Sequence, residues 1–577
     1  MPEQKYRWKN REIREQIDVV SSKSAPTLIL KNGTYLNPYL NKWLSAHIWI
    51  HENRIVYVGQ KMPELSEGIE VIDCDGRFLV PGYIEPHVHP FQLYNPHSLA
   101  KYVSQYGTTT FINDNLFLLL HYDKKKALTL LDQLNKLPVQ FYWWFRYDLQ
   151  TEIQEEDRIL SPDLMKKWIE HEGVIQGGEL TGWPKLLAGD DLMLYRMQET
   201  KRHHKRIEGH FPGASEATLT KMKLFGADCD HEAMTGEEVL QRLALGYHVS
   251  LRHSSIRPDL DKLLKEMMDR GIDHYDAMFY TTDGSTPSFY LEGMTNKLIE
   301  KALEKGIPAI DAYNMGSYNI AKYYGNDHLI GAIGPGRLAN INILENKNNP
   351  APISVLANGL WLRKNGEDTG NFPNFDWGEE EFTLGWDMTI DDLQFSMPMG
   401  MKMRNSVIME PYSLTIDNSL EQLSTDHDES YLALFDRNGN WRINTMLKGF
   451  ATHVQGLASS YSTTGDILLI GKNKNDMLNA FKRLKEINGG IVLVENGETI
   501  QEIPLQIQGA ASTDKYEALM EKEKILKELL KERGYKFPDA IYTLLFFSST
   551  HLPFIRITPS GIYDVMKKTV LFPSIMR

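Results

Sequence analysis

Cysteine is nearly missing from this chain: 577 residues carry only two, Cys74 and Cys229. Two thiols cannot build a disulfide scaffold, and their separation rules out the CxxC spacing of a structural zinc or redox site. That usage suits a reducing compartment, and the cytoplasm is the expected location. No run approaches 18 uninterrupted apolar residues, so no membrane span is expected. The opening MPEQKYRWKNREIREQ is charged and has no apolar core, so no signal peptide is expected either. Positive charge is scarce: 63 Lys and Arg stand against 76 Asp and Glu, a balance of −13. Such a surface repels phosphate backbones and anionic lipid, which argues against nucleic acid or membrane as a partner. No GxGxxG or GxxxxGK[ST] follows a strand-like run, so the phosphate-binding signatures of an open doubly wound sheet are missing. No short-period repeat and no low-complexity segment interrupts the chain.

What is present is the composition of an ordinary globular protein, 42% hydrophobic and 24% charged with 11 tryptophans. After an N-terminal extension (1–26), residues 27–80 hold short alternating strands, TLILKNGTYL, SAHIWI and IVYVGQ, separated by turn residues. From the Pro81-Gly82 break to about 330, short apolar runs alternate with helical patterns. Some 250 residues of repeated β then α is the expected length of a (β/α)8 barrel. GAIGPGRLANINIL then returns to β alternation, so residues 331–405 are expected to rejoin the small β unit left at 80. The tail, 406–577, reads as a separate α/β domain. GDILLIG is a buried strand, Met477, Ala480, Phe481, Leu484 and Ile487 mark one helical face, and Asn496-Gly497 signals a hairpin. A charged helix follows with Tyr516, Leu519, Met520, Leu526, Leu529 and Leu530 on one side and Gly534 and Pro538 as stops.

The chemistry begins at PGYIEPHVHP, residues 81–90. In a strand, side chains alternate faces, so His87 and His89 point the same way, as two ligands of one metal must. Four later segments end apolar runs with a charged or imidazole group: Glu179 in VIQGGEL, His210 in IEGHFPG, His231 and Glu232 in DHE, and Asp283 in MFYTTDG. Each lies where a barrel strand should meet its following loop, the face on which barrel active sites form. Singly, Glu179 could be a helix cap, His210 a core histidine and Asp283 part of an Asp-Gly turn. Buried separately, such groups cost several kcal/mol on the order of known desolvation penalties, whereas a shared divalent cation pairs them all.

PGYIEPHVH, GELTGWP, EGHFPG, CDHEAMTGEEVLQRLALG, YTTDG and DAYNMGSYNIAKYYG followed by GAIGPGRLANI resemble the amidohydrolase superfamily, specifically its bacterial adenine deaminase branch. The tail joins in through GFATHVQGLASS, GDILLIG and NGGIVLVENG. The resemblance implies an amidohydrolase-type (β/α)8 barrel with a small β-sandwich built from both flanks, plus the branch's C-terminal α/β domain. It implies two divalent metal ions per chain, manganese or iron and in some relatives zinc. His87, His89 and Asp283 would hold one, His210 and His231 the other, with Glu179 bridging. Asp283 would take a proton from the attacking water, and Glu232 would donate to a ring nitrogen as hydroxide adds to C6 of a purine base. A homo-oligomer is the branch's expectation. The rival readings are hydrolysis of a cyclic amide or acyl substrate on the same scaffold, and a barrel that has lost catalysis. The intact ligand set argues against the second rival.

The chain also departs from that branch. Phe91 and Gln92 follow HxH in place of an acidic residue and serines. Ser462, Thr463 and Gly465 occupy the branch's His/Asp cluster, Gly284 replaces a second aspartate, and His253 a glutamate. Gln92 and His253 are therefore expected at the substrate. Arg146 ends the aromatic run FYWWF and has two readings: a surface or salt-bridged residue, or a pocket guanidinium that would select an anionic substrate group. Trp143 and Trp144 read as barrel packing, with Trp144 the candidate for stacking on a flat heterocycle. KRHHKR (201–206) reads as a solvated helix end.

Overall fold

The computed structural model describes residues 9–153, 156–378 and 382–577. Eight parallel strands hydrogen-bond in chain order at its centre: β1 (Tyr83–Val88), β2 (Thr108–Asp114), β3 (Gln140–Phe145), β4 (Val174–Leu180), β5 (Arg206–Gly209), β6 (Cys229–Asp230), β7 (His248–Arg252) and β8 (Met278–Thr281). Helices connect them and cover the outside, so both strand faces are buried; all six residues of β3 are buried, which is why QFYWWF shows no polar alternation. The covering helices are amphipathic. In Leu260–Asp269, for example, Leu260, Leu263, Leu264 and Met267 face inward at spacings of three and four. Each such side chain stabilises the layer by roughly 1.5–3 kcal/mol. Where β8 returns to β1, the Glu85 carboxylate accepts from Thr281 Oγ1 (2.8 Å) and from Thr282 N and Oγ1 (3.2 and 3.1 Å), tying the first strand to the last.

A nine-stranded sheet precedes and follows the barrel in sequence. Its early strands run from Leu28–Asn37 to Phe78–Pro81 and its late ones from Ile341–Leu344 to Glu367–Asp368. Ile341–Leu344 pairs antiparallel with Phe78–Pro81, so the chain rejoins the sheet it left. The tail and the preceding strand Met399–Met403, which pairs with Met409–Ser413 and Trp441–Lys448 instead of rejoining the first sheet, form a second nine-stranded sheet, with helix Lys474–Glu486 burying Met477, Ala480, Phe481 and Leu484 against it. Asn496 and Gly497, both at positive φ (54° and 80°), turn the hairpin between Gly490–Glu495 and Glu498–Pro504.

Helix Tyr516–Glu532 then runs back to the barrel. Tyr516 stacks on Tyr102 at 4.6 Å and donates its hydroxyl to Pro287 O at 3.3 Å. This carries the following helix, Ala540–Phe546, over the barrel mouth. Among the described residues no helix is long and apolar enough to cross a membrane.

Candidate active site

β1 ends in His87-Val88-His89, and the alternation of strand side chains places both imidazoles on one side, their Nε2 atoms 3.2 Å apart. β4 delivers Glu179 into the middle. Its Oε1 stands 2.5 Å from His210 Nδ1 and 3.4 Å from His231 Nε2, while its Oε2 stands 3.8 Å from His89 Nε2 and 4.0 Å from His87 Nε2. Asp283 follows β8 and puts Oδ1 3.0 Å from His89 Nε2 and 3.6 Å from His87 Nε2. The six side chains singled out in the sequence as ligands thus meet in two groups that share Glu179. Asp283 sits at φ 51°, the left-handed region, at a cost of about 1–3 kcal/mol. Bonds from Asp283 N to Thr281 Oγ1 (2.8 Å) and from Gly284 N to Asp283 Oδ1 (2.6 Å) hold it there.

One of these buried atoms, His87 Nδ1, has no hydrogen-bond partner. Imidazole nitrogens and carboxylate oxygens aimed at one another within 4.8 Å form a donor set compatible with divalent metal binding. The surrounding residues fix which ring nitrogen faces inward. His89 Nδ1 bonds Asp114 Oδ2 at 2.9 Å and His231 Nδ1 bonds Glu208 Oε1 at 3.0 Å, leaving each Nε2 toward the centre.

Burial alone would raise the carboxyls of Glu179 and Asp283. Charged neighbours outweigh it, Arg146 and His210 at Glu179, Arg252 and His89 at Asp283, and both are held well below the ordinary carboxylate range. Burial would likewise lower His89, but hydrogen bonds to Asp114 and Asp283 push it up to about 9. The local field therefore favours positive charge at this point.

Four expectations need correction. Arg146 does not face the substrate pocket: it is fully buried, with Nε and Nη2 on Asp114 (2.9 and 2.6 Å) and Nη2 also 3.0 Å from Glu179 Oε2. Its charge already serves two carboxylates, so it offers no seat for an anionic substrate. Trp144 is buried beneath the ligands, its ring 4.4 Å from that of His87, and packs inside the barrel instead of lining the pocket. His253 turns away from the cavity toward Phe289 at 5.8 Å, where burial lowers its imidazole to about 4. Glu232 is gripped by Arg252 and Arg257. Burial would raise it, but the two guanidiniums and His210 bring it down to about 2, so it stands as an ion-paired carboxylate and not as a free acid.

Gln92 does line the pocket, accepting the Tyr461 hydroxyl. The pocket spans about 880 Å³ of space between atoms, some of it open to solvent. Its floor is the barrel mouth and its roof comes from the tail, through Tyr461, Ser462, Thr463, Tyr542, Phe546 and His551. The His551 ring lies 6.0 Å from that of His210, and burial lowers it to about 3, so it is neutral.

Sequence reasoning missed Asp114, Glu208 and Arg252 as partners of the ligands. Asp114 ends GTTTFIND and Arg252 ends YHVSLR, the same strand-end signal that exposed Glu179 and Asp283. Of the roof residues, Ser462 and Thr463 stand out in the sequence only as departures from the adenine deaminase branch, and Tyr461, Tyr542, Phe546 and His551 carry no local signal.

Comparison with known proteins agrees with this geometry. Residues 78–362 match the amidohydrolase family and residues 408–569 the adenine deaminase C-terminal domain. The chain is 65% identical over its full length to "Putative adenine deaminase YerA" of Bacillus subtilis and 57% identical to "Putative adenine deaminase BH0637" of Halalkalibacterium halodurans, covering the whole of each. It is 26% identical to "Adenine deaminase" of Bacillus velezensis, over 96% of this chain and 98% of that one. A barrel whose strand ends gather imidazoles and carboxylates is the amidohydrolase arrangement, and the chain is a hydrolase acting on carbon–nitrogen bonds. Within that class it belongs to the adenine deaminase family.

Proposed function

We propose that this chain hydrolyses the exocyclic carbon–nitrogen bond of adenine or a related heterocycle, giving the oxo product and ammonia, with two divalent ions at the barrel mouth. The single observation that carries the reading is the shared position of Glu179, one oxygen toward His210 and His231 and the other toward His87 and His89. His87, His89 and Asp283 would hold one ion, His210 and His231 the other, and Glu179 both. Manganese or iron suits such a mixed imidazole and carboxylate set, and zinc is a third candidate. When bound, these ions would supply Lewis acidity and bring the pKa of water from about 15.7 to roughly 7.

The residues then have separate tasks. Asp283, held as a carboxylate by Arg252, accepts the water proton at Oδ1 and can return it to the departing amine, so that base plus water balances product plus ammonia. Asp114 and Glu208 orient His89 and His231. Arg146 and Arg252 keep Glu179 and Asp283 ionised. The roof covers part of the pocket, and where it keeps bulk water away each of these interactions is strengthened.

The same reading divides the chain into an N-terminal extension (1–26), a composite β domain (27–80 with 331 onward through strand Glu367–Asp368), a catalytic barrel (81–330) and a C-terminal domain that takes in strand Met399–Met403 as well as 406–577. It places the protein in the cytoplasm, in keeping with two free, buried cysteines.

The test is an ammonia-release screen of manganese- or iron-loaded protein against nucleobases and cyclic amides, with elemental analysis and His89→Ala as control. Ammonia from a purine, lost in the control, supports the reading. Ring opening without ammonia, or fewer than one metal per chain after loading, overturns it.

A further inference from the structure

The tail contributes one polar atom to the pocket whose placement is unusually constrained. Tyr542 is 3% exposed, it lines the cavity, and its hydroxyl has no hydrogen-bond partner. A buried hydroxyl left unpaired costs about 1–3 kcal/mol, so either it is a defect or its partner arrives with a ligand. Its surroundings favour the second. A methyl group built on Gly284 would lie 2.4 Å from the Tyr542 oxygen and 3.0 Å from His89 Cδ2. The hydroxyl therefore rests on the residue after Asp283 and beside His89, through a gap that only glycine leaves open.

The tyrosine is also fixed in register with the loop that carries Asp283. Asp539 caps its helix, accepting from Ile541 N (3.0 Å) and Tyr542 N (3.3 Å). The same aspartate accepts from Thr286 Oγ1 in the Asp283 loop at 3.4 Å, and Lys527 Nζ donates to both Thr286 Oγ1 (2.8 Å) and Asp539 Oδ2 (3.5 Å). Burial pushes the phenol well above its ordinary range, so it stays a neutral donor.

From this geometry we infer that Tyr542 is a substrate-contacting, specificity-determining residue: its hydroxyl, clamped over Asp283-Gly284 and beside His89, hydrogen-bonds a ring nitrogen of the bound heteroaromatic base. The inference rests on the reading of the substrate as such a base. It assigns recognition to the C-terminal domain and hydrolysis to the barrel. Losing one hydrogen bond from a water-excluded site to a ring nitrogen lowers kcat/KM by about tenfold to a hundredfold.

The experiment compares the metal-loaded parent with Tyr542→Phe on adenine and its 1-deaza, 3-deaza and 7-deaza analogues, measuring kcat, KM and equilibrium binding of each base, together with metal content and thermal midpoint. The expected result is a loss of about tenfold to a hundredfold on adenine with metal content and midpoint unchanged, and no loss on the one analogue that lacks the partner nitrogen. Equal kcat/KM and affinity in parent and Tyr542→Phe overturn the inference alone, as does an equal loss on every analogue. A parent that neither binds nor deaminates any base overturns the functional reading, and this inference falls with it.

Discussion

At the barrel mouth Glu179, Asp283, Asp114 and Glu232 are ionised, and each touches an imidazole or a guanidinium, whereas the surface that faces them from the tail offers Tyr461, Tyr542, Ser462 and a neutral His551. The floor is a lattice of charge that has to be complete to be stable, since each carboxylate there is buried at a cost its partners offset. The roof is a layer of aromatic rings and hydroxyls that can change with little electrostatic consequence. Reaction chemistry and substrate choice thus occupy different parts of the chain, and substitutions on the two sides should fail in different ways.

The sharpest separation comes from Glu179→Gln. It removes the carboxylate common to both ligand groups and strands Arg146, so activity should fall by at least about a thousandfold, equivalent to about 4 kcal/mol, with metal content below that of the parent by elemental analysis. If metal content stayed at the parent level, the shared position of Glu179 would be coincidental.

Next is Asp114→Asn, one shell further out. It loosens both the His89 ring and the Arg146 pairing, and metal affinity should weaken by about 10- to 100-fold in competition against a chelator. KM for the base should follow metal occupancy instead of changing selectively, because neither Asp114 nor Arg146 is free to receive the substrate.

Behind the roof, Asp466, whose carbonyl oxygen accepts the Ser462 hydroxyl at 2.8 Å, tests whether that side avoids charge. Burial pushes its carboxyl from 3.8 up to about 7, with a hydrogen bond from the Arg437 amide (3.1 Å) opposing only part of the shift. The folded value lies above the unfolded one, so this group's contribution is fully present below the unfolded value and is lost as pH rises toward about 7. In that window the parent should lose up to about 1.4 kcal/mol per pH unit through this group. Asp466→Asn should flatten the decline, as read from thermal midpoints across pH. An unchanged slope would mean the carboxyl is ionised behind the roof. The smallest effect belongs to His253→Gln: with its ring turned from the pocket, kcat/KM should move by less than about threefold, and a larger change would return His253 to the substrate.

The two sides also differ in how far sequence alone discloses them. Barrel strand ends are legible because strand geometry fixes direction: a polar group that closes an apolar run must point to the mouth, and His87, His89, Glu179 and Asp283 do. The same rule correctly turns Arg146 inward, yet it cannot say that Asp114 waits on the neighbouring strand, and so a paired guanidinium reads like a free one. Glu232 fails for the same reason. Its place in DHE is plain, while Arg252 and Arg257, which keep it ionised, are brought to it only by the packing of β7 and the loop beyond. Tyr461, Tyr542 and His551 sit on helix ends and turns of a domain whose docking is set by distant contacts such as Lys527 with Asp539 and Thr286. No local periodicity encodes that docking. The sheet of the tail was legible in part, through Asn496-Gly497 and the Met477 to Leu484 face, because those signals are local.

The pairing of Val80 with Asn342 joins residues about 260 positions apart, with the whole barrel lying between them in sequence. A growing polypeptide can complete the outer sheet only after the entire cylinder between those two residues has left the ribosome. Until then Phe78–Pro81 keeps an unsatisfied edge, which makes this short segment the place where a stalled or truncated chain would be most prone to stick to its neighbours.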